Sequence, residues 1–489
     1  MKKFIFLALL AGVIFAASSC RKELYNAPDI SGVGEDTVTL NIGDKLVLAP
    51  NVTNTKGNSY SWWINGKKAA AGQLNYTFEA TEAGNFDVAF KVNNKGGAAE
   101  QTFKIFVESP ITLALADQLA VSMSNVLDIK PTITGPDRDD YTYVWSLGDS
   151  VIGKQRDLAF IYPEAGTFQL TLRAAAGKQT TTITRPITVN AATYVKNAYT
   201  LLEYLPAPCK GHNWSVIGYA DSWKYGVEFP LSYNDYLAKS TQLRKENAAN
   251  GLVLGSWGGS ATFKFDHTVV NAAGKPDLEM TAIYSRLDIP AVYVAYDRNK
   301  NGKPDADEWY EIKNEDYGIE DLPDYQVTYS AGRLETDGRR IYNYFNWADN
   351  QETPGQGEVQ YVKVLTSSMT IANVMSTKGF FPGYYMPDTA SKKMVLMDGW
   401  ASTFTRKGKR ISRNVSGAVQ FQQKLNIDID MAVNTKGEFV HLPGIDFIKV
   451  QKVVYPFQLD TGVGIVKDWN MEEGRITQVF GILDRHLKN

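Results

Sequence analysis

The sequence predicts an all-β protein: two small tandem β-sandwiches followed by a larger β-sandwich or jelly-roll domain. Three observations carry this. Aromatic residues make up 12% of the chain, and 40 glycines and 19 prolines punctuate it. Short runs of alternating apolar and polar residues recur between those turn-forming residues, while strongly periodic helical windows are few. Finally, two stretches near the N-terminus look like copies of one unit, and nothing after Tyr199 repeats them.

The first copy, residues 28–108, holds Tyr60-Ser-Trp-Trp63-Ile-Asn-Gly66, Tyr76-Thr-Phe78 and Glu82-Ala-Gly-Asn-Phe86-Asp-Val88. The second, 109–190, holds Tyr143-Val-Trp145-Ser-Leu-Gly148, Phe160 and Glu164-Ala-Gly-Thr-Phe168-Gln-Leu170. Trp63 aligns with Trp145, Gly66 with Gly148, Phe78 with Phe160 and Phe86 with Phe168, each at an offset of 82. In each copy one strand alternates cleanly: Phe86, Val88, Phe90 and Val92 share a face, as do Phe168, Leu170 and Leu172. One tryptophan on a middle strand, followed by such a strand, suits an Ig-like sandwich without its disulfide. Trp63 and Trp145 are therefore expected in the two cores. The pattern Y-x-W-x-x-x-G followed by E-A-G-x-F resembles the PKD domain, an Ig-like module of bacterial surface proteins. Spacer modules are the expected role.

The N-terminus has a short positive start, Lys2-Lys3, an apolar run from Phe4 to Ala17, and small residues before Cys20. That is a secretory signal over residues 1–19, with an apolar run too short to span a bilayer. The cysteine after Ser18-Ser19 resembles the bacterial lipobox, which implies that Cys20 is lipidated and tethers the chain to a membrane. Residues 20–27 would then be the anchored linker. Cys209 has no partner in the mature chain, so no disulfide framework is expected. A net charge of -2 without a basic tract argues against a nucleic-acid partner.

A linker is expected at 191–198 and a ligand-binding β-domain at 199–489. This last part holds seven of the ten tryptophans and all four histidines. Strands are expected at 261–265, 291–296, 325–329, 359–364 and 446–450, and helices only at 234–246 and 367–376. The stretches Leu202-Glu-Tyr-Leu-Pro-Ala-Pro208, Gly255-Ser-Trp-Gly-Gly259 through His267, Trp347-Ala-Asp-Asn350 and Leu442-Pro-Gly-Ile-Asp446 resemble a large cell-surface protein family of gut-type Gram-negative bacteria. That family is built from a lipoprotein signal, PKD-like modules and a C-terminal β-domain. The resemblance implies an outer-membrane accessory of nutrient capture, serving a TonB-dependent transporter and binding a corrinoid (vitamin B12) or a glycan. It implies no catalytic residues. Surface exposure is expected from it, with the periplasmic leaflet left open.

Asp297-x-Asn299-x-Asn301-Gly-Lys303-x-Asp305-x-x-Glu308 fulfils every position of the D-x-[DN]-x-[DN]-G-x₅-E calcium loop. Oxygen donors at alternate positions, a glycine for the sharp turn, the Lys303 carbonyl and a closing glutamate suit a hard cation. The flanks read as strands, so the alternative is a polar hairpin tip turned at Asn301-Gly302. The ligand-binding candidates are Trp257, set between glycines as a stacking platform, Trp214 and Trp223 in one aromatic loop, and Tyr384 and Tyr385 in another. For Trp257 the competing expectation is inward packing at a tight turn. His267 is expected to be a structural hydrogen-bonding residue. The sequence has no H-E-x-x-H, no G-x-S-x-G and no P-loop. The expected function is non-catalytic nutrient capture; an adhesive surface protein with a macromolecular partner is the alternative, and a glycan-active enzyme a weaker one.

Overall fold

The computed structural model describes residues 24–31, 36–197, 199–207, 232–246, 251–255, 257–285, 289–318, 321–336, 341–352, 354–361, 385–387, 394–396, 403–411, 421–453 and 477–487. The chain divides into two compact units. One comprises Met1–Leu119, Ile129–Leu158 and Phe168–Ile187; the other comprises Ala120–Asp128, Ala159–Thr167 and Thr188–Asn489. The division runs through the second repeat and not through the stretch 191–198.

The first repeat is an Ig-like sandwich. Its larger sheet runs in the order Val38–Asn41, Gly97–Glu108, Gly84–Asn94, Ser59–Ile64 and Lys67–Ala71. The outermost pair is parallel and the other neighbours are antiparallel. Asp29–Ser31 pairs with Asn51–Thr53, and Lys45–Leu48 pairs with Tyr76–Glu79. The strand alternation read from the sequence sets the core, where Val88, Phe90 and Val92 meet Leu48, Phe78, Ile105 and Val107. The second repeat has the same order: Leu119–Ser122, Gln179–Asn190, Gly166–Ala176, Thr142–Leu147 and Ser150–Gly153.

The structure corrects the alignment of the repeats. The buried tryptophan of the first sandwich is Trp62, not Trp63. Trp62 sits opposite Phe90 and donates its Nε1–H to the Gln73 carbonyl at 3.2 Å; Trp145 sits opposite Leu172 and donates to the Gln155 carbonyl at 3.0 Å. Tyr60-Ser-Trp62 therefore superposes on Tyr143-Val-Trp145, one residue out of step with the constant offset. The first copy takes up its extra residue after Lys67–Ala71, at Gly72, whose φ of +80° suits a glycine. Successive side chains on a strand point to opposite faces, so a one-residue slip sends Trp63 to the outer face.

In the second unit a six-stranded sheet runs in the order Tyr199–Leu205, Ser260–Val270, Gly444–Gln451, Ala291–Ala295, Trp309–Ile312, Ala432–Val433. A four-stranded sheet runs Leu252–Gly255, Thr477–Asp484, Leu278–Ser285, Phe421–Ile427. One core joins them, with Phe263, Phe265, Val292, Val294 and Ile445 from the first and Leu252, Leu254, Met280, Val479 and Ile482 from the second. This is the larger β-sandwich that the strand pattern predicts. A further four-stranded sheet runs Pro354–Tyr361, Ile341–Asp349, Asp321–Thr336, Thr403–Ile411.

The helix expected at 234–246 spans Tyr233–Glu246. Ser232 starts it: its hydroxyl accepts the Asp235 N–H at 3.1 Å and donates to the Asp235 carboxylate at 2.6 Å, a reciprocal cap. Buried Tyr236 stacks on Tyr204 at 5.7 Å and holds the helix to the sandwich. The second expected helix, 367–376, lies outside the described residues.

The predicted linker is not free chain. The Asp484 N–H donates to the Lys196 carbonyl at 2.8 Å, and the Tyr194 ring lies 4.9 Å from His267. Segment 120–128 is seated in the same unit: the Thr268 N–H donates to the Ser124 carbonyl at 3.0 Å, Asn125 donates to the Tyr194 hydroxyl at 2.8 Å, and Lys300 pairs with Asp128 at 3.0 Å. Val126 packs against the sandwich core.

These placements predict opposite outcomes for two adjacent tryptophans. Trp62→Ala should destabilise the first sandwich by roughly 3–5 kcal/mol, as loss of a buried indole does. Trp63→Ala should cost far less, on the order of 1 kcal/mol or below. Denaturant unfolding of both variants distinguishes this assignment from the reverse.

Candidate functional site

The calcium-type loop joins two neighbouring strands of the six-stranded sheet, Ala291–Ala295 and Trp309–Ile312, which pair with Val294 opposite Tyr310. It is thus a long hairpin connection and not a helix–loop–helix, as the flanking sequence implied. Lys300 at φ +57° and Gly302 at φ +77° turn the chain sharply inward. The turn brings Asp297, Asn299, Asn301, Asp305 and Glu308 onto one loop.

Their oxygens and amides bind one another and the backbone. The Asp297 carboxylate accepts the N–H groups of Asn301 (3.0 Å) and Gly302 (2.7 Å), and its own N–H donates to Asp446 at 2.8 Å. Glu308, buried at 2% exposure, accepts from the Arg298 N–H at 2.9 Å and the Asp305 N–H at 3.0 Å. The side-chain amides of Asn299 and Asn301 both donate to Asp305 Oδ2, at 2.6 and 2.9 Å. Lys303 contributes its N–H to the Asn301 side chain at 2.7 Å, while Lys264 Nζ donates to the Gly302 carbonyl at 3.0 Å. Among the described residues no three His, Cys, Asp or Glu side chains converge as a metal-holding group. Each acidic group of the loop thus accepts N–H donors from within it. Beside it Asp446, half-buried between Thr268 and the Asp297 N–H, has its pKa raised by desolvation, which outweighs those hydrogen bonds.

Trp257 is corrected from platform to core. It is 1% exposed, meets Tyr325 edge-on at 4.6 Å, and donates Nε1–H to the Lys409 carbonyl at 3.2 Å. Its own carbonyl accepts the Tyr329 hydroxyl at 2.8 Å. The flanking glycines exist for this packing. A Cβ on Gly255 would collide with the Ala207 carbonyl oxygen, one on Gly259 with the Leu254 carbonyl oxygen, and one on Gly258 with Arg406. No face of this indole is left for a ligand. Trp214, Trp223, Tyr384 and Cys20 lie outside the described residues, as does Cys209; Tyr385 opens the short strand Tyr385–Pro387.

Two buried charge clusters were not singled out as clusters in the sequence, because their members are far apart along it. His267 hydrogen-bonds Asp266 at 2.5 Å through Nδ1 and buried Asp484 at 2.8 Å through Nε2. His486 bonds buried Asp277 at 2.8 Å, and its N–H donates to Asp484 at 2.7 Å. Asp277 also accepts the N–H groups of Ala272 and Ile429, each at 2.8 Å. The C-terminal strand is thereby latched to the sandwich. Burial, the largest influence on His267, lowers its pKa, but Asp484 and Asp266 together outweigh it and the net shift is upward. The same balance, with Asp277 and Asp484, raises His486. In the second cluster Lys409 pairs with Glu311 at 2.7 Å and Asp321 at 2.8 Å, beneath the Tyr317 ring at 4.6 Å. Burial raises the Glu311 pKa even beside that lysine. Both clusters tie elements distant in sequence to one another.

Comparison with known proteins agrees with the first module. The profile of the family described as PKD-like domain matches residues 28–94. No curated protein matches the chain. Among solved structures, the N-terminal four Ig domains of Dscam1 (isoform 4.44) align at 14% identity with a TM-score of 0.22, over 34% of this chain and 46% of that one. The chain thus matches 46% of that fragment's length. A chimeric titin Z1Z2 tandem aligns at 16% identity with a TM-score of 0.16, over 34% of this chain and all of the other. The chain carries a PKD-like module at residues 28–94, followed by a second sandwich of the same strand order and a larger β-domain. Among the described residues, no helix is long and apolar enough to cross a membrane.

The histidine latch gives a pH prediction. A histidine whose folded pKa lies above the unfolded value of about 6.5 stabilises fully below that value, and the contribution is lost as pH rises through the folded pKa. The melting temperature of the second unit should therefore fall as pH rises from about 6.5 through the raised pKa values of the folded histidines. His267→Gln should flatten that dependence; an unchanged profile in the variant would show that the latch does not carry it.

Proposed function

We propose that the protein is a lipid-anchored surface protein whose PKD/Ig-like modules present a C-terminal β-sandwich for capture of an extracellular ligand, without catalysis. The observation that carries this reading is the seating of segment 120–128 of the second module in the same compact unit as the C-terminal sandwich. The backbone bond from Thr268 to Ser124 and the packing of Val126 make that segment part of the domain it carries. Lipidation at Cys20 supplies the anchor at the outer membrane, with surface display the orientation in which spacers are of use. A TonB-dependent transporter is the partner such capture would serve, and a corrinoid or a glycan the ligand.

Isothermal titration of the mature chain with cobalamin and with a panel of soluble glycans tests the reading. Saturable binding of one of them is expected. Retention on bacterial or host surfaces with no small-ligand binding would instead favour adhesion.

The loop at 297–308 is proposed to hold structural calcium. Asp297, Asn299, Asn301, Asp305 and Glu308 would supply side-chain oxygens and Lys303 its carbonyl, a donor set that suits a hard cation. The ion would draw Asp305 Oδ2 away from the Asn299 and Asn301 side-chain amides that now donate to it. Calcium at about one hundred times its Kd should stabilise the second unit by roughly 2.7 kcal/mol. Glu308→Gln should abolish that gain, and a melting temperature indifferent to both calcium and chelator would reject the site.

A further inference from the structure

The slip between the two repeats leaves a tryptophan where the fold does not need one. Trp63 lies half-buried on the outer face of the first sandwich. The strand register sets it opposite Ala89, and Ala89 opposite Thr102, so that a broad flat side chain is followed across the sheet by two small ones. The rows on either side carry exposed charge pairs: Lys91 with Glu100 at 2.9 Å, and Lys104 with Asp87 at 2.7 Å. The ring itself is held. Its Nε1–H donates to the Ser61 hydroxyl at 3.0 Å, and the Lys91 ammonium lies over it, 5.5 Å from the centroid.

The second repeat is the internal control. There the corresponding row is Ser146, Thr171 and Thr184, with Ser146 opposite Thr171 and the two threonine hydroxyls 3.0 Å apart. The same sandwich closes with a serine at this position, so packing does not account for Trp63.

We infer that this face of the first module is a binding platform for a neutral pyranose chain. The chemistry argues for a sugar over other occupants. A pyranose ring offers an apolar C–H face to an indole and a rim of hydroxyls to polar neighbours, and an aromatic side chain fixed beforehand loses little entropy on contact. The rim meets its counterparts here, since the Glu100 and Asp87 oxygens accept and the Lys91 and Lys104 ammonium groups donate. Those four charges cancel in pairs, and Lys68, opposite Trp63 on the edge strand, adds a single positive charge, so the face carries no block of one sign with which to select a highly charged partner. Small Ala89 and Thr102 leave room beside the ring. This site lies on the first module and is distinct from the ligand capture proposed for the C-terminal domain.

Affinity electrophoresis of the full mature chain through amylopectin, galactomannan and dextran, with heparin as a polyanion, tests the inference. At least one neutral polysaccharide should retard the wild-type protein. Trp63→Ser, which copies the second repeat, should weaken that binding at least tenfold without lowering the melting temperature. Trp63→Phe, which keeps an aromatic face, should retain part of it, and this variant decides the matter should the serine variant prove unstable. The inference is overturned if no neutral polysaccharide retards the wild type, or if heparin alone does. It is also overturned if both variants migrate like the wild type; retardation would then belong elsewhere in the chain, and capture by the C-terminal domain would stand.

Discussion

A buried indole N–H is costly to leave without an acceptor, and in all three sandwiches one such bond ties the core to a separate piece of backbone. Trp62 reaches the Gln73 carbonyl, Trp145 the Gln155 carbonyl and Trp257 the Lys409 carbonyl. An unsatisfied buried donor costs about 1–3 kcal/mol, so each ring dictates where a second piece of backbone must run. In the two modules that piece is the turn after the next strand. In the C-terminal domain it is a strand 152 residues away, and Trp257 thereby ties the glycine turn of the main sandwich to Thr403–Ile411. The glycines around Trp257 follow from the same demand, since the backbone must approach closely for the ring to reach its acceptor.

Around these anchors the second unit holds two buried charge clusters whose members pair with one another. His267 and His486 share Asp484, Asp277 and Asp266, and Lys409 is shared by Glu311 and Asp321. Breaking one member of such a set would strand the rest without a partner in a low dielectric. Their positions at the C-terminal strand and at the junction of two sheets suggest why a chain of many short strands holds a single arrangement: the charges penalise any register in which they fail to meet.

Much of the fold was legible along the chain. The alternating runs at 86–92 and 168–172 became core strands, the runs at 261–265, 325–329 and 446–450 lie within strands, the run at 291–296 is a strand as far as Ala295, and the one described α-helix begins at the serine that caps it. The calcium-type loop lies between strands, as its flanks indicated. The repeat alignment was less secure, because two adjacent tryptophans match one in the other copy and a sequence offset cannot choose between them. Pairing of Trp62 with Phe90, and of Trp145 with Leu172, makes the choice. The glycine-flanked Trp257 read as a platform because glycine marks both exposed turns and close backbone contacts.

What the sequence determined by itself was local: strand periodicity, turn and cap chemistry, the tandem repeat, and the spacing of oxygen donors from Asp297 to Glu308. These depend on residues within a few positions of one another, so the chain order states them directly. Tertiary structure alone decided which of Trp62 and Trp63 faces inward, that Trp257 is core, that 191–197 is strapped to Asp484 and His267, and that histidines 219 residues apart join one network. Each of those outcomes depends on a partner distant in sequence, and it is the packing of sheets, not the order of residues, that brings such partners together.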